Sequence, residues 1–292
     1  MPFLRFICNF AVTTILLQYK EMPIFSIITV CYNEVKNIRK TLESTLSQTF
    51  KDYELIVVDG GSTDGTKEII LQYEQHYAWW CSEPDKGIYN AMNKGISHAT
   101  GDYLLFLNAG DWFHDDAVLE HVYQQGMKAD IIEGHTIRAD KMVRHRPVYK
   151  DLYEHLFVDT ISHQGTFIRR ELLLAHPYDE KYKIVSDWKF WLEALVLEEN
   201  SYTFIDMDIS YFDMSGISFT QIELRENERE SVYQELFPPH MVRFIHSYIR
   251  AYHLALVKYA VYLDEHSHKG YELVRKIAKR VVKLVKRIKH LQ

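Results

Sequence analysis

Three short apolar runs, each halted by polar residues, set the pattern of the first part of the chain. FSIITV (25–30), ELIVV (54–58) and YLLFL (103–107) have the density of β-branched and large aliphatic side chains expected of strands buried on both faces. They stop at Cys31, Tyr32, Asn33 and Glu34, at Asp59, Gly60 and Gly61, and at Asn108, Ala109, Gly110 and Asp111. Between the runs the period changes from strand to helix. Residues 35–48 place Ile38, Leu42, Thr45 and Leu46 on one side of a helix, and 66–76 and 87–99 read as two more, with a short strand near 78–81. Such alternation predicts an α/β fold with a mostly parallel central sheet and helices on both faces. In open α/β sheets ligands sit beyond the carboxyl ends of the strands, so the polar stops can face one crevice. Each stop taken alone also reads as a plain turn.

At 292 residues the chain can bury a sizeable core, and one domain with an appendage fits better than two full domains. Its charge is uneven. The overall value is −6, yet residues 271–292 carry eight Lys or Arg against the single acid Glu272, a local +7 that leaves −13 elsewhere. An acidic body with a basic tail argues against a general nucleic-acid binder and for a tail with its own partner. The three cysteines, Cys8, Cys31 and Cys81, have no paired spacing, so neither a disulfide framework nor a zinc site is implied and a reducing cytoplasm fits. Neither a Gly-x-Gly-x-x-Gly fingerprint nor a P-loop occurs, which leaves dinucleotide redox chemistry and ATP hydrolysis without a motif.

The order of motifs is specific. SIITVCYNE, QTFKDYELIVVDGGSTDGT, SEPDKGIYNAMNKGISHATGDYLLFLNAGD, HQGTFIRREL and VSDWKFWL follow one another over roughly residues 22–215. This series resembles the family 2 glycosyltransferases, in particular the subgroup that builds bacterial capsule, exopolysaccharide and O-antigen repeats. The resemblance implies the GT-A (nucleotide-diphospho-sugar transferase) fold and an inverting transfer of one sugar from a nucleotide-diphosphate sugar to an acceptor hydroxyl. It assigns base and ribose recognition to Tyr32, Asn33, Glu34 and Asp59. A carboxylate can accept the imide N–H of uracil, which favours a UDP-sugar, although Gly60 stands where many relatives have a second Asp. Asp85 and Lys86, before a helix whose N-terminus suits anionic phosphate, fall beside the donor.

By the same resemblance, Asn108 to Asp111 replaces the family's Asp-any-Asp metal motif. Asp111 is then the carboxylate ligand for Mn²⁺ or Mg²⁺, and Asn108 offers a neutral oxygen on the donor side. Asp187 takes the place of the general base, and His163 and Gln164 that of the acceptor-side element, with Glu133, Gly134 and His135 expected along the same cleft. Structural roles compete at each position. Asp85 and Asp187 also read as helix caps, Asp111 as a turn or cap before Trp112, and His163 as a structural histidine. Ser62, Thr63 and Asp64 read as a turn and cap.

The expected organisation is a catalytic domain over 22–236 and a C-terminal helical extension over 237–292. For residues 1–21, apolar from Phe6 to Tyr19, two readings stay open: a short membrane-contacting leader, or a start codon assigned upstream of Met22. In the extension, Val274, Ile277, Ala278, Val281, Leu284, Val285, Ile288 and Leu291 recur at helical spacing, flanked by the basic residues. That pattern predicts a helix lying at a membrane interface, hence a peripheral enzyme on the cytoplasmic face of the inner membrane acting on an oligosaccharide or lipid-linked acceptor. A catalytically silent donor-binding scaffold is the competing reading, because Asn108 and Gly110 weaken the metal motif.

Overall fold

The structure, a computed structural model, describes residues 22–140, 142–145, 152–213, 216–253 and a few positions between 267 and 276. The leader, residues 1–21, and the greater part of the basic helix expected near the C-terminus lie outside the described residues.

The three apolar runs form the middle of one sheet. Strands β1 (Phe25–Cys31), β2 (Tyr53–Asp59), β3 (Trp79–Ser82) and β4 (Tyr103–Phe106) are parallel in the order β3-β2-β1-β4. Every residue of β1 is buried, because its two faces pack on different helices. Ile27, Leu55, Val57 and Leu105 pack with Ile38 and Leu42 of helix α1 (Ile38–Leu46) and with Ile70 of α2 (Thr66–Leu71). Ile28 points the other way, toward α3 (Ile88–His98), as the two-residue period of a strand requires. Each such fully buried aliphatic side chain contributes about 1.5–3 kcal/mol.

The sheet continues through β8 (Thr166–Arg169), β6 (Ile131–Arg138), β9 (Tyr202–Phe212) and β5 (Trp112–Phe113), with β7 (Val143–His145) beside β6. Here β8 joins β4 and β6 antiparallel and β6 runs parallel to β9, so parallel ladders still carry most of the paired residues. This half is poorly marked in the sequence. Strand β6 reads IIEGHTIR and is buried through Ile137 despite its polar positions, because Glu133 accepts from the Tyr202 hydroxyl at 2.6 Å and His135 meets Asp206 Oδ1 at 2.7 Å. Helices α4 (Val118–Gln124), α5 (Leu152–Val158), α6 (Arg170–Ala175) and α7 (Ser186–Trp191) complete the layers, and α7 runs on into a π-helical turn, Leu192–Leu197.

Three further helices follow: α8 (Ile217–Thr220), α9 (Ile222–Leu236) and α10 (Pro239–His253). The chain divides into two compact units, one up to Arg229 and one from Glu230. In the second unit Val242 and Ile245 are buried, and His246 pairs with Glu230 at 2.7 Å. Among the described residues no helix is long and apolar enough to cross a membrane.

Candidate active site

The loops after β1 and β2 are laced together. Asn33 adopts φ 55°, a left-handed conformation that Asn tolerates better than most residues, and its side-chain oxygen accepts from Thr63 N at 2.9 Å. Its own N–H donates to Ser62 Oγ at 2.7 Å. Next to it, Glu34 N donates to Thr66 Oγ1 at 2.8 Å and Val35 N to Asp64 Oδ2 at 3.0 Å. Ser62, Thr63 and Asp64 thus serve the loop and the start of α2, as the sequence suggests. Glu34 also accepts from the Asn37 amide at 2.8 Å, while Tyr32 is left 63% exposed at the mouth of the cleft.

Asp59 is fully buried. Ser62 Oγ donates to its Oδ1 and Ser82 Oγ, at 2.6 Å, to its Oδ2, so in this conformation the carboxylate shapes the wall of the crevice and offers it no free oxygen. Asp85 comes over the end of β2 instead. A Cβ at Gly60 would lie 2.4 Å from Asp85 Oδ2 and 3.4 Å from the Tyr32 ring, so the missing side chain at Gly60 is what lets Asp85 and Tyr32 approach each other. Asp85 Oδ1 also accepts from Gly87 N at 2.8 Å ahead of α3. Lys86 is exposed, and Lys94 pairs with Glu83 at 2.7 Å.

Beyond β4 the chain is strapped to β1 by Leu107 N to Ile28 O at 2.9 Å and Ala109 N to Val30 O at 3.1 Å. It then turns at Gly110, whose φ of 104° suits glycine. Thr41 of α1 locks the turn: its hydroxyl accepts from Gly110 N at 3.1 Å and donates to Asp111 O at 2.7 Å. The Asp111 carboxyl is buried and accepts from Asp213 N at 3.1 Å. Burial pushes it up to about 7, against the opposing pull of His163, the Asp213 amide and the Gln164 side chain. Gln164 and His163 therefore converge on Asp111. Next in sequence, Trp112 lies between Lys40, 3.0 Å from its ring centre, and the stacked ring of Tyr211.

A polar chain runs from this turn to α7. Asn108 Nδ2 is 3.2 Å from His163 Nε2, and His163 Nδ1 is 3.0 Å from Asp187 Oδ2. With Nδ1–H facing the carboxylate, the neutral ring accepts from the Asn108 amide at Nε2, a tautomer assigned from these partners. Asn108 Oδ1 is then buried with no protein partner. Asp187 is not the helix cap: its Oδ1 accepts from the Tyr89 hydroxyl at 2.8 Å and from Trp188 N at 2.8 Å. The His163 and Asp187 side chains keep 16% and 13% exposure, so both still reach solvent.

The structure thus unites Asn108, Asp111, His163, Gln164 and Asp187, and separately groups Tyr32, Asn33, Glu34, Asp59 and Asp85. Sequence reasoning passed over three supporting residues. Tyr89 bonds both Asp187 and Ile184 O, Glu228 accepts from Lys183 N at 2.8 Å and Ile184 N at 2.9 Å, and Thr41 holds the turn. The signal for Tyr89 was its place on the same α3 face as Asn93 and Ile96. Glu228 and Thr41 had none.

Among the described residues no three His, Cys, Asp or Glu side chains form a metal cage. The donor set still fits a hard divalent cation. Asp111 is a buried carboxylate whose charge is only partly compensated, Asn108 Oδ1 is an orphaned oxygen, and Mg²⁺-like ions complete their shells with phosphate and water oxygens.

Comparison with known proteins gives a consistent result. The glycosyl transferase family 2 model matches residues 26–176. A PGL/p-HBAD biosynthesis glycosyltransferase of Mycobacterium bovis is 32% identical over 209 residues, 69% of this chain and 81% of the relative. Staphylococcus aureus TarS 1–349 with UDP-GlcNAc superposes at TM-score 0.62 and 17% identity, covering 86% of this chain and 79% of that one. The mannosyltransferase PcManGT of Pyrobaculum calidifontis with GDP-Man and Mn²⁺ gives 0.57 at 16% identity, covering 90% and 81%.

Proposed function

The chain belongs to glycosyl transferase family 2 and is a glycosyltransferase of GT-A fold; from that premise we propose that it transfers one sugar, with inversion, from a UDP-sugar to a hydroxyl of a lipid-linked oligosaccharide during synthesis of a bacterial surface polysaccharide. The observation that carries this reading is the Asn108–His163–Asp187 chain beside Asp111, at the carboxyl ends of the parallel strands.

Asp187 is the general base. It receives the acceptor hydroxyl proton while that oxygen bonds the anomeric carbon, and the bond from this carbon to the diphosphate oxygen breaks with its electron pair leaving on the diphosphate. One displacement of this kind inverts the anomeric configuration. His163 and Gln164 orient the acceptor side. Tyr32, Asn33, Glu34, Asp59, Asp85 and Lys86 form the donor side, Asp59 acting through the Ser62 loop that it holds. Asp111, with Asn108, would hold Mn²⁺ or Mg²⁺, which when bound neutralises the leaving diphosphate. The Mn²⁺ in the PcManGT structure and the UDP-GlcNAc bound to TarS support these assignments.

The basic extension is the membrane contact. Eight Lys or Arg between 271 and 292, at ~1 kcal/mol each near an anionic leaflet, suffice for peripheral attachment to the inner membrane. Phe244 is 61% exposed on α10, a helix with Arg243 and Arg250 and no acidic residue, a chemistry that also suits an anionic leaflet.

The test is nucleoside-diphosphate release from a panel of UDP-, GDP- and dTDP-sugars with Mn²⁺, Mg²⁺ or chelator, comparing Asp111→Asn and Asp187→Asn with the unaltered protein. Metal-dependent release of one nucleotide, lost in both variants, is expected. Donor binding without release, even with lipid-linked acceptors present, would establish the silent scaffold instead.

A further inference from the structure

The Asp187 carboxylate is held asymmetrically. Its Oδ1 accepts two hydrogen bonds, from Tyr89 Oη and from Trp188 N, both at 2.8 Å, whereas Oδ2 accepts one, from His163 Nδ1 at 3.0 Å. Oδ1 has no lone pair to spare, and Oδ2 keeps one. Trp188 N is bound to the helix that carries Asp187, so Tyr89 is the only one of the two Oδ1 donors that a side-chain change can remove.

Tyr89 itself is placed by the fold. It is 5% exposed on α3, with its hydroxyl also 2.6 Å from Ile184 O, and Ile184 is fixed in turn through its amide by Glu228. A phenol has one proton and here faces two acceptors. While Asp187 is charged, the carboxylate is the stronger acceptor and draws that proton. Once Asp187 has become neutral, the Ile184 carbonyl competes for it, so the hydroxyl can follow the charge on Asp187 by rotation alone. Burial, reinforced by Asp187, holds the phenol far above its ordinary range, and Tyr89 remains a donor at any working pH. Other titratable groups facing Asp187 are His163 and Tyr178, the latter buried with its hydroxyl lacking a protein partner.

We infer that Tyr89 is a positioning residue that fixes which oxygen of Asp187 works as the base: it occupies Oδ1 and turns Oδ2, with its free lone pair, to the acceptor hydroxyl. This rests on the assignment of Asp187 as general base. In the step, the acceptor O–H proton moves to Oδ2, the oxygen it leaves bonds the anomeric carbon, and the diphosphate departs with the electron pair of the broken bond. Tyr89 exchanges no proton.

The experiment compares the unaltered protein with Tyr89→Phe and Asp187→Asn. The first readout needs no substrate: the carboxylate stretching band assigned to Asp187 as the one lost in Asp187→Asn. Loss of a charge-assisted donor must displace this band in Tyr89→Phe. The second is UDP release from UDP-glucose and UDP-N-acetylglucosamine, with kcat expected to fall about tenfold and donor KM to stay within about twofold. An undisplaced band, or an unaltered kcat, overturns the inference. Retained turnover in Asp187→Asn overturns the base assignment instead, while the band still reports whether Tyr89 holds Oδ1. Should Tyr89→Phe not fold, 3-fluorotyrosine at position 89, a stronger donor, must displace the band in the opposite sense, and an undisplaced band again overturns the inference.

Discussion

Replacing Asp111 by Asn should make the protein inactive and, above neutral pH, more stable. Burial moves this carboxyl from 3.8 to about 7 in the folded state. Between those values the folded chain binds more protons than the unfolded chain, so stability falls as pH rises through this window and levels off above it. With ~1.4 kcal/mol per tenfold in proton affinity, the charged carboxylate destabilises the fold at pH 8 by a ceiling of about 4 kcal/mol. Asn keeps an oxygen for Asp213 N but presents an N–H where the Gln164 side chain now bonds, which lowers the expected gain to about 2–3 kcal/mol. Urea unfolding in chelator at pH 4, 6 and 8 measures it. The variant should be about 1–2 kcal/mol less stable at pH 4, where only the Gln164 mismatch counts, and overtake the unaltered protein as pH rises, and Mn²⁺ should raise the midpoint of the unaltered protein alone. A difference independent of pH, or a variant less stable at pH 8, would refute the argument that Asp111 is held at a cost which a cation relieves.

Thr41→Val keeps the shape but strips the hydroxyl from Gly110 N and Asp111 O, two groups buried at the turn. Urea unfolding should show a loss of about 2–4 kcal/mol, against about 1 kcal/mol for Thr41→Ser; equal losses would mean the hydroxyl does not hold the turn. Deleting residues 271–292 should abolish sedimentation with vesicles of phosphatidylcholine and phosphatidylglycerol at 0.1 M salt, and undiminished sedimentation would place membrane contact elsewhere.

How much was readable in the sequence depended on whether a residue's neighbours in space were also its neighbours in pattern. Strands β1, β2 and β4 carry dense apolar runs and declared themselves, and the turns that follow them could be placed in one crevice by topology alone. Strand β6 did not, because Glu133 and His135 are buried beside partners some 70 positions away, Tyr202 and Asp206, as their separations of 69 and 71 record. In the site, Asp187 and His163 stood out through their motifs, yet the bond between them spans 24 residues and no periodicity encodes it. For Asp59 the motif marked the right loop, while only the packing of Ser62 and Ser82 shows that both its oxygens are engaged. Glu228 was illegible for a plain reason: on an acid-rich helix one more glutamate carries no mark until the Lys183 and Ile184 amides are seen to end on it.

The four hydrogen bonds between residues 33–35 and 62–66 have a practical consequence for anyone exchanging parts between related enzymes. Two stretches that lie 29 to 32 residues apart in the chain are a single mechanical piece, each supplying donors or acceptors that the other leaves open. A graft that swaps the first loop for one lacking Asn33 strands the Thr63 amide of the second, and the reverse graft strands the three backbone amides of the first wherever the new loop lacks the Ser62, Asp64 and Thr66 side-chain acceptors. Such chimaeras should tolerate recombination breakpoints before Asn33 or after α2 but not within α1, which lies between the two loops, and transplant whatever preference the loops encode only when both travel together.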